Sequence, residues 1–544
     1  MRSLLSSGIS VFVVTAEEMR AAEQWAVERG ISTAILMDRA GQAVAEAVRA
    51  ACASRRGEVV VLVGPGNNGG DGLVAAVRLA RAGYPVTVAS VPRRIDPDEP
   101  LRAAREAPLR LLALDQPGAL DDLHRSLERA AVIVDALLGT GVTRPLAGLV
   151  AEAARAIGSR PPGSFLIAVD LPSGVNSDTG AVDPLTPAAD LTVTFAAPKV
   201  GMFLPPGLRA VGDLQVADIG IPPEAFRGVR RRVLTADLAR SLLPARPIDG
   251  HKGTFGKLLV IAGSARYLGA PLLTVSAALR VGVGLVTLAT GRSTYERVGG
   301  RILETTYLPL PEDGDGALGD RAAEEVIAAL ERERYDALAL GPGLGRAVAT
   351  DRFVARLLAA VTLPTVVDAD ALNAVAGQDN WPALLRAHCV MTPHPGEAAR
   401  LLRSNVPAVE ADRLGSAAAL SRGGAVVVLK GAHTIVANPE GEARFQGEAN
   451  PALGSGGTGD ILTGIIGGLL AQGCRPFDAA MLGVYLHSRA AARWSGRNGD
   501  AGLLASDLLR EIPLARRELR PGRRAGASAK RALPAALTVR AGKD

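Results

Sequence analysis

The run VVVLVGPGNNGGDG, residues 59 to 72, passes from an apolar β-branched stretch into a glycine turn and out again into an apolar segment. A continuous Val/Leu run bounded by Gly predicts a strand buried on both faces, as in a parallel sheet. The turn G-P-G-N-N-G at Gly64 to Gly69 matches the G-x-G-x-x-G pattern that sets helix N-terminal N–H groups against a phosphate. Asn67, Asn68 and Asp71 are additions that an ordinary nicotinamide-cofactor loop does not need. Such a unit also carries an acidic residue at the end of the next strand, for the ribose hydroxyls; here that strand, PVTVASV, ends without one. What remains is an anion site joined to side-chain amide oxygens that can coordinate a cation.

Around this stretch, strand-like and helical patterns alternate. A helical stretch at 15 to 51, opened by Thr15 with Glu18 three residues on, precedes EVVVLVG, PVTVASV, AVIVDALLG, FLIAVDLPSG and LTVTFAAPK. The pattern pauses over 221 to 250 and resumes with KLLVIAG, LVTLAT, YDALALGPGLG, PTVVDAD, CVMTPHPGE and AVVVLKG. TIVANPEGEARF then predicts a hairpin turned at Pro439 to Gly441, and helices follow GSGGTGD. Alternation of this kind predicts parallel sheets covered by helices. A length of 544 residues exceeds the roughly 250 to 300 over which one core grows, and the two halves carry different motifs, so two unlike α/β domains are expected, over 13 to 228 and 229 to 513.

The net charge of +6 is misleading until it is located. Residues 511 to 544 hold nine Lys or Arg against three acidic residues, which accounts for the whole excess. The expectation is a basic, disordered tail over 514 to 544 and no nucleic-acid site in the folded part. Cys52, Cys389 and Cys474 lie far apart without C-x-x-C spacing, which predicts neither a disulfide framework nor a zinc site and fits a reducing, cytoplasmic setting. The N-terminus lacks the apolar core of a signal peptide, and GIIGGLLAQG at 464 to 473 is far short of a membrane span.

Two further strand ends extend the first constellation: VDALLGTG puts Asp135 at the end of a strand, followed by a second glycine turn, and VDLPSG puts Asp170 and Ser173 at the end of the next. Since ligands of open α/β sheets bind beyond the carboxyl ends of the strands, Asn68, Asp135, Asp170 and Ser173 should converge; the alternative makes the aspartates helix N-caps. Together GPGNNGGDG, VDALLGTG and VDLPSGVNSDTG resemble the NAD(P)H-hydrate epimerase family, with a Rossmann-like three-layer fold. The resemblance implies that Asn67, Asn68, Gly69, Gly70 and Asp71, with Gly139, Thr140, Gly141, Val142, Thr143, Arg144 and Pro145, hold a hydrated nicotinamide dinucleotide. It places Asp170 in that site and makes Asn68, Asp135 and Ser173 ligands of a potassium ion. Asp170 is the expected proton-transfer group. The chain departs from the family's M-E-N-A-G at Met37 to Gly41, where it reads MDRAG with Arg39.

In the second half, LGSGGTGDILTGIIGG at 453 to 468 places Gly456, Gly457 and Gly459 before a helix, with Asp460 where a general base would meet a hydroxyl. With HKGTFGKLLVIAGS, GPGLG at Gly341 to Gly345 and MTPHPGEAARLL, this is similar to the ADP/ATP-dependent NAD(P)H-hydrate dehydratase family of ribokinase-like fold. That likeness implies contacts of Ala270, Gly343, His394 and Asp460 with the hydrate, NADHX or NADPHX. It likewise implies contacts of Lys430, Gly431, Ala432, His433, Thr434 and Gly459 with the adenine nucleotide. Mg²⁺ would accompany ADP or ATP, with ADP favoured because bacterial relatives use it. Both families commonly form homo-oligomers. The rival readings are a ribokinase-like vitamin or sugar kinase, and an N-terminal domain reduced to a binding scaffold.

Overall fold

The computed structural model describes residues 11–520 apart from 94, 96 and 97. They form two compact units, 11–232 and 233–520. In the first, seven strands, β1 (Glu58–Val63), β2 (Val86–Ser90), β3 (Arg110–Ala113), β4 (Ala130–Ala136), β5 (Phe165–Val169), β6 (Leu191–Phe195) and β7 (Asp213–Ala217), form one sheet in the order β3-β2-β1-β4-β5-β6-β7. Every neighbouring pair is parallel. Successive side chains of a strand point to opposite faces, so Val59, Val61 and Val63 enter one apolar layer while Val60 and Leu62 enter the other. The chain reverses its direction of growth between β1 and β4, which opens a crevice where their carboxyl ends part.

The helical stretch expected over 15 to 51 is two helices, Ala16–Val27 and Thr33–Cys52, because Gly30 takes a left-handed φ of 91° and Ser32 starts the chain afresh as an N-cap. The first opens with the anticipated capping box: Thr15 accepts from the Glu18 N–H, and Glu18 accepts from that of Thr15 at 2.8 Å.

The second unit carries a ten-stranded sheet. Its members are β8 (Arg231–Leu234), β9 (Lys257–Ile261), β10 (Leu285–Gly291), β11 (Thr305–Leu310), β12 (Ala337–Leu340), β13 (Thr365–Val367), β14 (Cys389–Met391), β15 (Val426–Leu429), β16 (Ile435–Ala437) and β17 (Ala443–Gln446). The order is β11-β10-β9-β12-β13-β14-β15-β16-β17-β8. Strands β9 to β15 run parallel, and β16 and β17 form the expected antiparallel hairpin, with Gly441 at φ 81° in its turn. Helix Thr458–Ala471 is apolar on nearly every side and packs on helix Gly269–Val281 so closely that a Cβ at Gly464 would stand 2.1 Å from the Thr274 carbonyl oxygen.

The tail expected to be disordered from 514 is ordered at its start. Helix Leu508–Glu518 runs past that point because its apolar face, with Ile512 and Ala515, is buried, and Arg516 is itself buried and donates to the Val281 carbonyl at 2.9 Å. The rest of that expectation, from 521 onward, lies outside the described residues. Among the described residues no helix is long and apolar enough to cross a membrane.

Candidate active sites

In the first unit the glycine turn leads directly into helix Asn67–Arg81, so Asn67 to Asp71 form its opening turn, with Gly66 as N-cap. The turn is packed against the end of β4: a Cβ at Gly64 would lie 1.6 Å from the Leu137 carbonyl oxygen. Arg93, two residues past β2's last neighbour Val91, clamps it by donating to the Gly64 and Gly66 carbonyls at 2.7 and 2.9 Å, with Asp98 as counter-ion at 2.5 Å. A buried cation therefore stands near the place where a cofactor-binding unit keeps its acid, and the sequence reading did not single it out.

Asp135, fully buried, accepts from the Ser173 N–H at 2.8 Å, the Ser173 hydroxyl at 2.6 Å and the Leu137 N–H at 3.2 Å. The Leu138 N–H donates to the Ser173 Oγ at 2.9 Å. Asn68 reaches the same segment: its Oδ1 would be 3.2 Å from a Cβ on Gly139, and its buried Nδ2 has no partner. Asn68, Asp135 and Ser173 thus gather around residues 135–139. Burial pushes the Asp135 carboxyl upward, against the bonds from Ser173 and Leu137. Neither Asp135 nor Asp170 caps a helix; the next helix, Gly148–Gly158, starts from Ala147. The loop from Gly139 to Pro145 is tied to the β5 side by Asn176, which donates to the Val142 carbonyl at 3.1 Å.

Asp170 follows β5 with a left-handed φ of 63°, a conformation costly for a non-glycine residue and frequent at working sites. Its Oδ1 takes the Thr194 hydroxyl at 3.0 Å, the Phe195 N–H at 3.4 Å and the ammonium of Lys199. Lys199, 1% exposed, was not among the expected site residues. Burial pushes the Asp71 carboxyl well above the usual range, and the negative charges of Asp170 and Glu23 add to it. Arg39, the departure from the family pattern, donates to the Ile219 carbonyl at 3.0 Å, away from these groups.

In the second unit the gathered residues come from the carboxyl ends of four neighbouring strands: Gly343 after β12, Asp368 after β13, His394 after β14 and Lys430 after β15. Asp368 is the hub. It accepts from Lys430 Nζ at 2.8 Å and from Thr463 Oγ1 at 2.6 Å. Burial raises its pKa, but the Lys430 charge and these bonds outweigh it and leave the net shift downward. Lys430 also lies 3.8 Å from Glu397; burial lowers its pKa and the carboxylates of Asp368 and Glu397 more than restore it. Gly459 leaves room beside this pair, since a Cβ there would come 3.5 Å from Lys430 Nζ.

Asp460, in the first turn of helix Thr458–Ala471, is pushed up to about 7 by burial and by the Asp368 charge. Glu397 is likewise pushed up to about 7, chiefly by burial. His394 caps helix Pro395–Leu401: its Nδ1 accepts the Gly396 and Glu397 N–H groups at 2.9 and 3.4 Å, so a neutral ring carries its proton on Nε2. That ring is half exposed, and burial and Lys430 hold its pKa down. Ala270 faces Gly343, which has φ 66° and whose Cβ would stand 3.0 Å from that of Ala270. In the Lys430 to Thr434 segment the His433 ring turns inward to the Gln446 carbonyl at 2.7 Å, which leaves that residue only its backbone for outward contacts. Arg413, also unforeseen, is 1% exposed and donates to the Lys430 carbonyl at 3.1 Å. Asp368, Thr463 and Arg413 stand 95 to 17 positions from their partners, beyond the reach of local pattern.

Two family models match the chain: YjeF-related protein N-terminus over residues 33–201 and NAD(P)H-hydrate dehydratase over 258–514. A bifunctional NAD(P)H-hydrate repair enzyme of Moorella thermoacetica is 40% identical over 521 residues, covering 94% of this chain and 97% of that protein. Its counterpart in Thermofilum pendens is 38% identical over 517 residues, covering 93% and 97%. Among solved structures, the Bacillus subtilis ADP/ATP-dependent NAD(P)H-hydrate dehydratase co-crystallised with ATP/Mg²⁺ is 30% identical, covers 53% of this chain and 98% of that one, and has a TM-score of 0.45. With alignment to such relatives over almost its whole length, the chain belongs to the family of bifunctional NAD(P)H-hydrate repair enzymes.

Proposed function

We propose that the first unit epimerises the R and S hydrates of NADH and NADPH and that the second dehydrates the S hydrate with ADP. The observation that supports this most is the juxtaposition of Asp460, at about 7, with the buried Asp368–Lys430 pair at the mouth of a helix. A carboxylate poised near neutrality can take the proton of the C6 hydroxyl as that oxygen attacks the terminal phosphoryl group of ADP, breaking the bridging P–O bond and releasing AMP. The helix N-terminus and Lys430 lie on the side where phosphate charge develops. The ring nitrogen's lone pair then expels phosphate from C6, and loss of the C5 proton restores the dihydronicotinamide. Ala270 and Gly343 would form the wall against which the nicotinamide ring lies, and His394 would donate from Nε2.

In the first site C6 must become planar for its hydroxyl to change face, and Asp170 moves the proton. Asn67 to Asp71 and Gly139 to Pro145 would hold the dinucleotide. The donor set of Asn68, Asp135 and Ser173 suits an alkali cation, because all three offer hard oxygens and one is anionic. Potassium bound there would supply a fixed positive charge beside the substrate. Among the described residues no three acidic, His or Cys side chains gather as a metal site, so Mg²⁺ would come with the nucleotide phosphates. Cys52, Cys389 and Cys474 are unpaired thiols, in keeping with a reducing cytoplasm.

The test is recovery of near-ultraviolet dihydronicotinamide absorbance from mixed-epimer NADH hydrate with ADP, Mg²⁺ and K⁺. Full recovery supports both activities. Recovery of one epimer only overturns the epimerase, and release of a phosphorylated product without recovery favours a kinase.

A further inference from the structure

The hydrogen bonds given to Asp170 fall on one oxygen. Thr194 Oγ1 and the Phe195 N–H donate to Oδ1, at 3.0 and 3.4 Å, and so does the Lys199 ammonium. Lys199 also donates to Thr194 Oγ1 at 2.9 Å, which turns the Thr194 proton toward Asp170. The lysine is fixed from both sides along the backbone, for Val14 N donates to Pro198 O and Val200 N to Val14 O, each at 3.0 Å. A buried lysine with a freely turning stem would be a poor anchor; one held on a pinned backbone is a rigid one. Among the described residues no hydrogen bond reaches Oδ2.

We infer that Lys199 is the positioning residue of the epimerisation: with Thr194 it saturates Asp170 Oδ1 and so leaves Oδ2 as the oxygen that exchanges a proton with the substrate. This rests on the epimerase reading of the first unit. It also gives the left-handed backbone of Asp170 a purpose, since the φ of 63° accompanies a carboxylate that meets Thr194 on β6 and Lys199 four residues beyond that strand. The other charged groups of this pocket are Asp71 on helix Asn67–Arg81, Glu23 and Arg20 on helix Ala16–Val27, and Arg93 after β2. Two of these are carboxylates raised by burial first, so Lys199 is the cation in contact with the reacting group.

The test uses the full chain with Lys199→Met, Lys199→Arg and Thr194→Val, following conversion of purified R hydrate to S hydrate at saturating K⁺ from pH 5 to 9. Dehydration of S hydrate by the second unit reports an intact chain. Lys199→Met is expected to lower kcat about 100-fold with KM within about threefold, because a carboxylate released on Oδ1 no longer presents Oδ2 in one orientation. Lys199→Arg restores part of the rate and Thr194→Val costs less than Lys199→Met. If Lys199→Met keeps the wild-type kcat, or raises KM alone, the positioning role is overturned. Should Lys199→Met not fold, a wild-type kcat in both other variants overturns it. A wild type that leaves R hydrate unconverted overturns instead the epimerase reading on which this rests.

Discussion

The two units answer one structural rule with different chemistry. Each sets a buried aspartate against a lysine at the carboxyl edge of a parallel sheet, Asp170 with Lys199 in the first and Asp368 with Lys430 in the second. In the first the paired aspartate, carried on a strained strand end, is the group to which the proposed epimerisation gives the proton transfer. In the second the pair is a fixed support, and the carboxylate proposed as the base, Asp460, stands in the first turn of a helix. The difference follows from what moves. A proton alone needs only an oriented oxygen, whereas a phosphoryl group needs N–H donors for its spreading charge, and a helix N-terminus has them ready.

The comparison breaks most visibly if the two reacting aspartates are not independent. Asp460→Asn should cost about 10³-fold in dehydration of S hydrate while interconversion of R and S hydrates, followed by proton NMR, stays at the wild-type rate. Asp170→Asn should do the reverse, slowing epimerisation about 100-fold and leaving mixed hydrate half repaired. A smaller effect sharpens the contrast in ion requirement: replacing K⁺ by tetramethylammonium, or Asn68 by Ala, should slow epimerisation about tenfold and leave dehydration untouched. Smaller again is the pH response. Asp460 must be ionised to accept a proton and is pushed up to about 7, so kcat/KM for dehydration should rise with pH up to about 7 and level above it. A flat profile from pH 6 to 8 would remove Asp460 as the base.

Much of this architecture is legible in the sequence, and what is not has physical reasons. The central strands announce themselves because burial on both faces demands unbroken Val/Ile/Leu runs such as VVVLV. The edge strands β3 and β11 do not: β3 is the four-residue RLLA, partly exposed, and β11 contains Pro309, tolerable only at an edge. Asp135 and Asp170 were readable because each follows an apolar run, and Asp460 because it joins a glycine turn to the apolar run ILTGIIGG. Lys199, Arg93 and Arg413 were not, because each matters through a partner distant in sequence, as Lys199 meets Asp170 across 29 positions; Asp368 follows the strand TVV and carried the same sign as Asp135, but its partner Lys430 lies 62 positions away. The division of helix 15 to 51 turned on Gly30, whose left-handed φ ends the first helix.

The smallest effect concerns stability and tests the same asymmetry from another side. The Asp460 carboxyl has an ordinary value of 3.8 and is pushed up to about 7 in the folded chain. Below 3.8 it is protonated whether folded or not and contributes nothing. Between there and 7 the folded chain retains a proton that the unfolded chain releases, so stability falls as pH rises, and above 7 the whole penalty is present. Asp460→Asn removes a charge that must be desolvated and pressed against Asp368. The variant should therefore match wild type near pH 4 and exceed it at pH 8 by about 1 kcal/mol, or about 2–4 °C in the melting of the second unit. Asp368→Asn should go the other way, because its net downward shift stabilises the fold above its unfolded pKa and its loss leaves Lys430 with one carboxylate fewer. If both variants move the melting point in the same direction, Asp460 and Asp368 are one shared structural pair, and the separation of support from reacting group falls.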